Sequence, residues 1–82
     1  MDFTRATEVT PDVDKTIDDL FTYHPWNEEQ TLKGVNIRNA LAAVTRIIIA
    51  NAPPSPDRSA AIRKIREARM DANSAITHGG KY

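Results

Sequence analysis

The chain has no cysteine, so it can form neither a disulfide nor a thiolate nucleophile. Histidine is almost as scarce. His24 and His78 are the only imidazoles, and neither stands in a recognisable ligand spacing, so the sequence predicts no metal site and no cofactor. Glycine occurs at Gly34, Gly79 and Gly80 alone, and the only adjacent pair lies at the C-terminal end, which excludes a glycine-rich phosphate loop. Long apolar runs are also missing. The longest uninterrupted one, residues 40–44, is far short of the ~20 residues that span a bilayer, so no membrane partner is expected. Met1–Arg5 lacks the basic-then-apolar order of a signal peptide, which makes the cytoplasm the expected compartment.

Catalytic groupings are lacking too. Ser55, Ser59 and Ser74 sit where capping and close packing account for them. Asp18-Asp19 and Glu28-Glu29 are paired acids, but neighbours on a helix point about 100° apart and do not converge on one ligand. The chain is therefore not expected to be an enzyme. With 82 residues it forms one domain, whose core is modest at that size. With disulfide and metal staples set aside, self-association is the remaining source of stability.

The charge that is present sums to zero but is unevenly placed. Residues 1–30 hold eight acids and two bases, and residues 31–82 hold nine bases and three acids. That asymmetry favours docking of an acidic segment on a basic one, or an anionic ligand on the basic part. The near-neutral pI of 6.7 argues against a general DNA or RNA binder.

Residues 1–9 show no sustained periodicity and read as a flexible arm. Thr10-Pro11-Asp12 then combines a capping hydroxyl, a proline at the first helical position and an acid in the first turn. Val13, Ile17 and Leu20 follow at helical spacing, which predicts a first helix over about 11–21. Phe21-Thr22-Tyr23-His24-Pro25-Trp26 breaks the pattern, because Pro25 disfavours a helical His24. Asn27-Glu28-Glu29-Gln30 is a capping-box start, and Ile37, Leu41, Val44 and Ile48 carry the helical repeat to about 51. Gly34 is a tolerated weak point. Pro53-Pro54 stops this helix, and Ser55-Pro56-Asp57 starts a third over about 56–77, striped by Ala61, Ile62, Ile65, Ala72 and Ile76.

Helices of 24 and 22 residues, each roughly 33–36 Å long, joined by a short turn predict an antiparallel hairpin. The expected fold is thus all-α, a short N-terminal helix and a long hairpin within one domain over 10–78, followed by a flexible tail at 79–82. Ile47, Ile48 and Ile49 place apolar surface on more than one face of the second helix. The first helix can cover part of it, and a neighbouring chain is the simpler cover for the rest.

Two features carry chemistry. Tyr23 and Trp26 sit in a short, proline-stiffened loop that can present rings to a planar base, and the same rings can equally plug the end of the helical pair. Arg58, Arg63, Lys64, Arg66 and Arg69 on the third helix, with Lys33, Arg38 and Arg46 on the second, form a basic series that a solvated face largely explains. Arg38 differs, because Ile37 and Leu41 belong to the apolar stripe and place its guanidinium beside the seam. There a bidentate phosphate contact is strongest.

Phe21-Thr22-Tyr23-His24-Pro25, Gln30, Ile37-Arg38, Pro53-Pro54-Ser55, Arg58-Ser59, Ala61, Lys64, Glu67-Ala68, Ala72-Asn73 and Ala75-Ile76, in that order over about 21–78, resemble the phage anti-CBASS protein two family. The resemblance implies a short helical homo-oligomer, a hexamer, that binds cyclic dinucleotides and cyclic trinucleotides without cleaving them and so starves bacterial CBASS defence of its signal. It implies that Tyr23 stacks on a base and that Arg38 holds a phosphate. The candidate ligand-binding set is Tyr23, His24, Trp26 and Arg38, with Arg69 and Asn73 on the third helix. Departures fall on that helix: Arg66-Glu67 replaces an acidic pair, Asp71 replaces a tryptophan, and His78 replaces an arginine. They touch the segment through which the family takes trinucleotides. The competing class is a small helical regulator that uses the same apolar faces on a protein partner.

Overall fold

The computed structural model describes residues 5–82. Its elements are three α-helices, α1 (Pro11–Phe21), α2 (Glu28–Asn51) and α3 (Pro56–His78), and no strand occurs among the described residues. Of the arm expected over 1–9, residues 1–4 lie outside the described residues, and residues 6–9 form neither helix nor strand.

Each helix starts where local chemistry satisfies its orphan amides. The Thr10 hydroxyl accepts from Val13 N–H at 3.3 Å, and Pro11 opens α1. At α2 the box is reciprocal: Asn27 Oδ1 accepts from Gln30 N–H at 2.8 Å, and Gln30 Oε1 accepts from Asn27 N–H at 3.0 Å. Ser55 Oγ accepts from Arg58 N–H at 3.1 Å. The end of α3 falls one residue beyond the expected position. His78 stays helical because Gly79 adopts the left-handed conformation, φ 61°, that closes the helix.

α2 and α3 pack against each other, and polar contacts mark both ends of their contact. Near the start of α2, Gln30 Nε2 donates to the Ile76 carbonyl at 3.1 Å and the Trp26 indole N–H donates to Thr77 Oγ1 at 2.7 Å. Near its end, Arg58 Nη1 donates to the Ala52 carbonyl at 3.2 Å. Between them Ile37, Leu41, Ile48, Ile62, Ile65 and Ile76 are half-buried. No hydrophobic side chain among the described residues is fully buried. Leu32, Val44, Ile47, Ile49 and Met70 stay exposed, so the apolar surface of the α2–α3 pair does reach more than one face.

α1 departs from expectation, because it packs along neither α2 nor α3. It is an amphipathic helix whose Val13, Ile17 and Leu20 are only half-covered, and it leaves the exposed isoleucines of α2 uncovered. The Cα radius of gyration is 16.7 Å, against about 12 Å for a compact domain of this length. Accessible surface is 6571 Å², against about 4,900 Å² for a compact monomer of this mass.

Candidate functional site

Arg38 of α2 and Arg63, Arg66 and Arg69 of α3 border a run of adjoining clefts. One, of about 200 Å³, is lined by Trp26, Gly34, Arg38, Arg69 and Asn73, together with Thr31 and Val35. A second, of about 150 Å³, shares Arg38 and Arg69 and adds Arg66 over an apolar floor of Leu41 and Ile65. A third, of about 460 Å³, runs along α3 between Arg63, Arg66, Arg69 and Asn73. Arg69 borders all three. Arg66, Arg69 and Asn73 recur three and four residues apart, which stacks them on one face of α3. Arg38, exposed on α2 beside the half-buried Ile37 and Leu41, borders the first two of these clefts from the other helix.

Trp26, at the end of the aromatic loop, and Thr31 line both the first basic cleft and the cleft beside the loop. The Trp26 ring lies over Gly34, so that a β-carbon at position 34 would overlap it. Gly34, expected as a weak point in α2, is instead the seat of the only tryptophan and the one buried residue of α2. On the other side of Trp26, Thr22, Tyr23, His24, Pro25 and Thr77 border an open cleft of about 560 Å³. Tyr23 is 85% exposed there, with its ring in solvent. Of the six expected residues, Arg38, Arg69, Asn73 and Trp26 therefore share one cleft, and Tyr23 and His24 share another, with Trp26 as their common wall.

A third grouping was not legible in the spacing. Asp19 in the last turns of α1, His24 in the loop and His78 at the end of α3 come together, with one ligand-capable atom of each within 4.8 Å of the others. His24 Nε2 lies 3.4 Å from Asp19 Oδ1 and donates to the Asp19 carbonyl at 2.7 Å, and His78 Nδ1 lies 3.7 Å from Asp19 Oδ2. The two imidazoles meet edge to face at 5.2 Å.

The segment 79–82, expected as a flexible tail, turns back toward α1. Tyr82 donates its phenol proton to Asp19 Oδ2 at 2.6 Å, and the Lys81 ammonium stands 3.3 Å from the same oxygen. The Tyr82 hydrogen bond, then the Lys81 contact, hold the Asp19 carboxyl below the usual carboxylate range. The same carboxylate raises the Tyr82 phenol and the Lys81 ammonium.

No family model matches the chain, and no curated protein or solved structure resembles it at a significant level. No helix among the described residues is long and apolar enough to cross a membrane.

Proposed function

We propose that the chain is a non-enzymatic binding protein that sequesters cyclic oligonucleotide signals, cyclic dinucleotides foremost, as a helical homo-oligomer. The observation that carries this reading is the cleft shared by Arg38, Arg69, Asn73 and Trp26. Two guanidiniums offer forked donors to phosphate oxygens, an amide offers both a donor and an acceptor to a base edge, and an indole forms the wall. The residue motifs over 21–78 point to the same ligand class, since Tyr23 and Arg38 hold the positions that the resembling family uses for base and phosphate.

In this reading α2 and α3 form an antiparallel hairpin that serves as the building block of the assembly. Leu32, Val44, Ile47, Ile49 and Met70 supply the apolar surface for a second copy, because fully burying one such side chain contributes roughly 1.5–3 kcal/mol. An extended chain whose surface exceeds that of a compact monomer suits subunits that complete one another. Tyr23, exposed and lining a different cleft from Arg38, then meets the ligand held by the Arg38 of a neighbouring subunit.

The exposed apolar residues also suit a small regulator that docks on a different protein. Calorimetric titration against a panel of cyclic dinucleotides and trinucleotides separates the two readings. Sequestration requires saturable binding and intact ligand released on heat denaturation. Absence of binding across the panel, with no nucleotide co-purifying, favours the regulator. Linear product accumulating with time and protein would reveal an active site.

A further inference from the structure

The Asp19, His24 and His78 grouping lies outside the basic clefts and uses residues from three separate parts of the chain. It combines two imidazoles with a carboxylate, a donor set suited to borderline divalent ions such as Zn²⁺. Donors around a tetrahedral zinc, at bond lengths near 2.0–2.1 Å, stand about 3.3 Å apart. His24 Nε2 and Asp19 Oδ1 are already at 3.4 Å, and His78 Nδ1 and Asp19 Oδ2 at 3.7 Å. All three donors lie within 4.8 Å of one another, so closing around an ion requires side-chain rotations that draw the widest pair together by up to about 1.5 Å.

We infer that Asp19, His24 and His78 form a Zn²⁺ site that clamps the end of α1 and the aromatic loop to the end of α3. The His78 side chain is only 8% exposed, so it is held in place, while Asp19 and His24 at 31% and 34% leave an entry path for the ion. Binding shifts the His24 proton from Nε2 to Nδ1, and the ion replaces the Nε2–H contact to the Asp19 carbonyl. Water takes the fourth position. Tyr82, already donating to Asp19 Oδ2, orients the carboxylate from outside the coordination sphere. Lys81 neutralises the carboxylate in the absence of metal, and its 63% exposed side chain is free to swing away. The clamp acts where the fold is weakest, because α1 has no packed face on α2 or α3.

The test is a Zn²⁺ titration of the untagged full chain after chelator treatment, with no nucleotide added, so its outcome is independent of the proposed sequestration. One Zn²⁺ per chain is expected, together with a raised melting temperature. Co²⁺ should give the visible absorption bands of a low-coordinate site. His24→Gln and His78→Gln should each weaken binding on the order of 100-fold, and Tyr82→Phe on the order of 10-fold. Lys81→Met should tighten it. Circular dichroism of the metal-free variants checks that the helices persist, and His24→Gln, altered at a half-buried loop residue outside the α2–α3 contact, keeps the test valid if His78→Gln unfolds. No binding at micromolar Zn²⁺, or binding unchanged in His24→Gln, overturns the site.

Discussion

The ring of Trp26 fills the space that a side chain on Gly34 would take. Alanine at position 34 gains about 1 kcal/mol of helix propensity over glycine, whereas forcing a methyl group into an occupied contact costs about 1–3 kcal/mol. Gly34→Ala should therefore lose stability, on the order of 1 kcal/mol net. Trp26 is the single tryptophan, so its emission should shift to the red as the ring is expelled. A urea melt followed by fluorescence checks both, and a stabilised variant with unchanged emission would contradict the seat.

The other anchor of that ring is the Thr77 hydroxyl, which accepts from the indole at 2.7 Å. Thr77→Val keeps the shape and removes the acceptor, with an expected cost of about 1 kcal/mol in thermal unfolding. Thr77→Ser should retain most of the stability. Equal losses in both would mean that the methyl group, rather than the hydroxyl, holds the ring.

Arg38 and Arg69 border the same clefts from different helices. Arg38→Ala should weaken cyclic dinucleotide binding by at least about tenfold, and Arg38→Lys should restore little of it, since a point charge cannot reproduce a forked contact. Tyr23→Ala should weaken binding through a lost stacking face without lowering stability, because the ring is in solvent. Mixing Tyr23→Ala with Arg38→Ala subunits should recover part of the binding if the two residues meet across an interface. No recovery despite verified subunit exchange would place the whole site within one chain.

Ile47 and Ile48 are neighbours with different surroundings: Ile47 is 61% exposed, and Ile48 is half-buried. Ile47→Glu should shift sedimentation toward the monomer while leaving helical content intact. Ile48→Glu should lower both, because it also introduces an unpaired charge into the contact between α2 and α3. Wild-type protein that sediments as a monomer at micromolar concentration would remove the basis for the assembly.

The helix starts are legible in the sequence because each is encoded within four residues. Thr10-Pro11, Asn27 with Gln30, and Ser55-Pro56 state their caps without reference to anything distant. The end of α3 is less legible, since Gly79 and Gly80 are adjacent and both adopt positive φ, so the sequence does not say which of them closes the helix. The convergence of Arg38 with Arg69 and Asn73 is foreshadowed only by the place of Arg38 beside the apolar stripe. The seat at Gly34 and the approach of Asp19 to His78 are invisible to periodicity. Both depend on how the loop at 22–27 folds back over the helix ends, which no local spacing encodes.

α1 has 11 residues, and a solitary helix of that length is marginally stable in water. Its cap and its acidic first turn favour helix at the N-terminal end, but its apolar stripe finds no partner along α2 or α3. Whatever keeps α1 wound in solution must come from beyond the helix itself. Its amide protons therefore act as a reporter: rapid deuterium uptake marks a segment that winds and unwinds freely, protection that appears only with Zn²⁺ marks the clamp at Asp19, and protection that rises with protein concentration marks a helix that a neighbouring subunit has taken in.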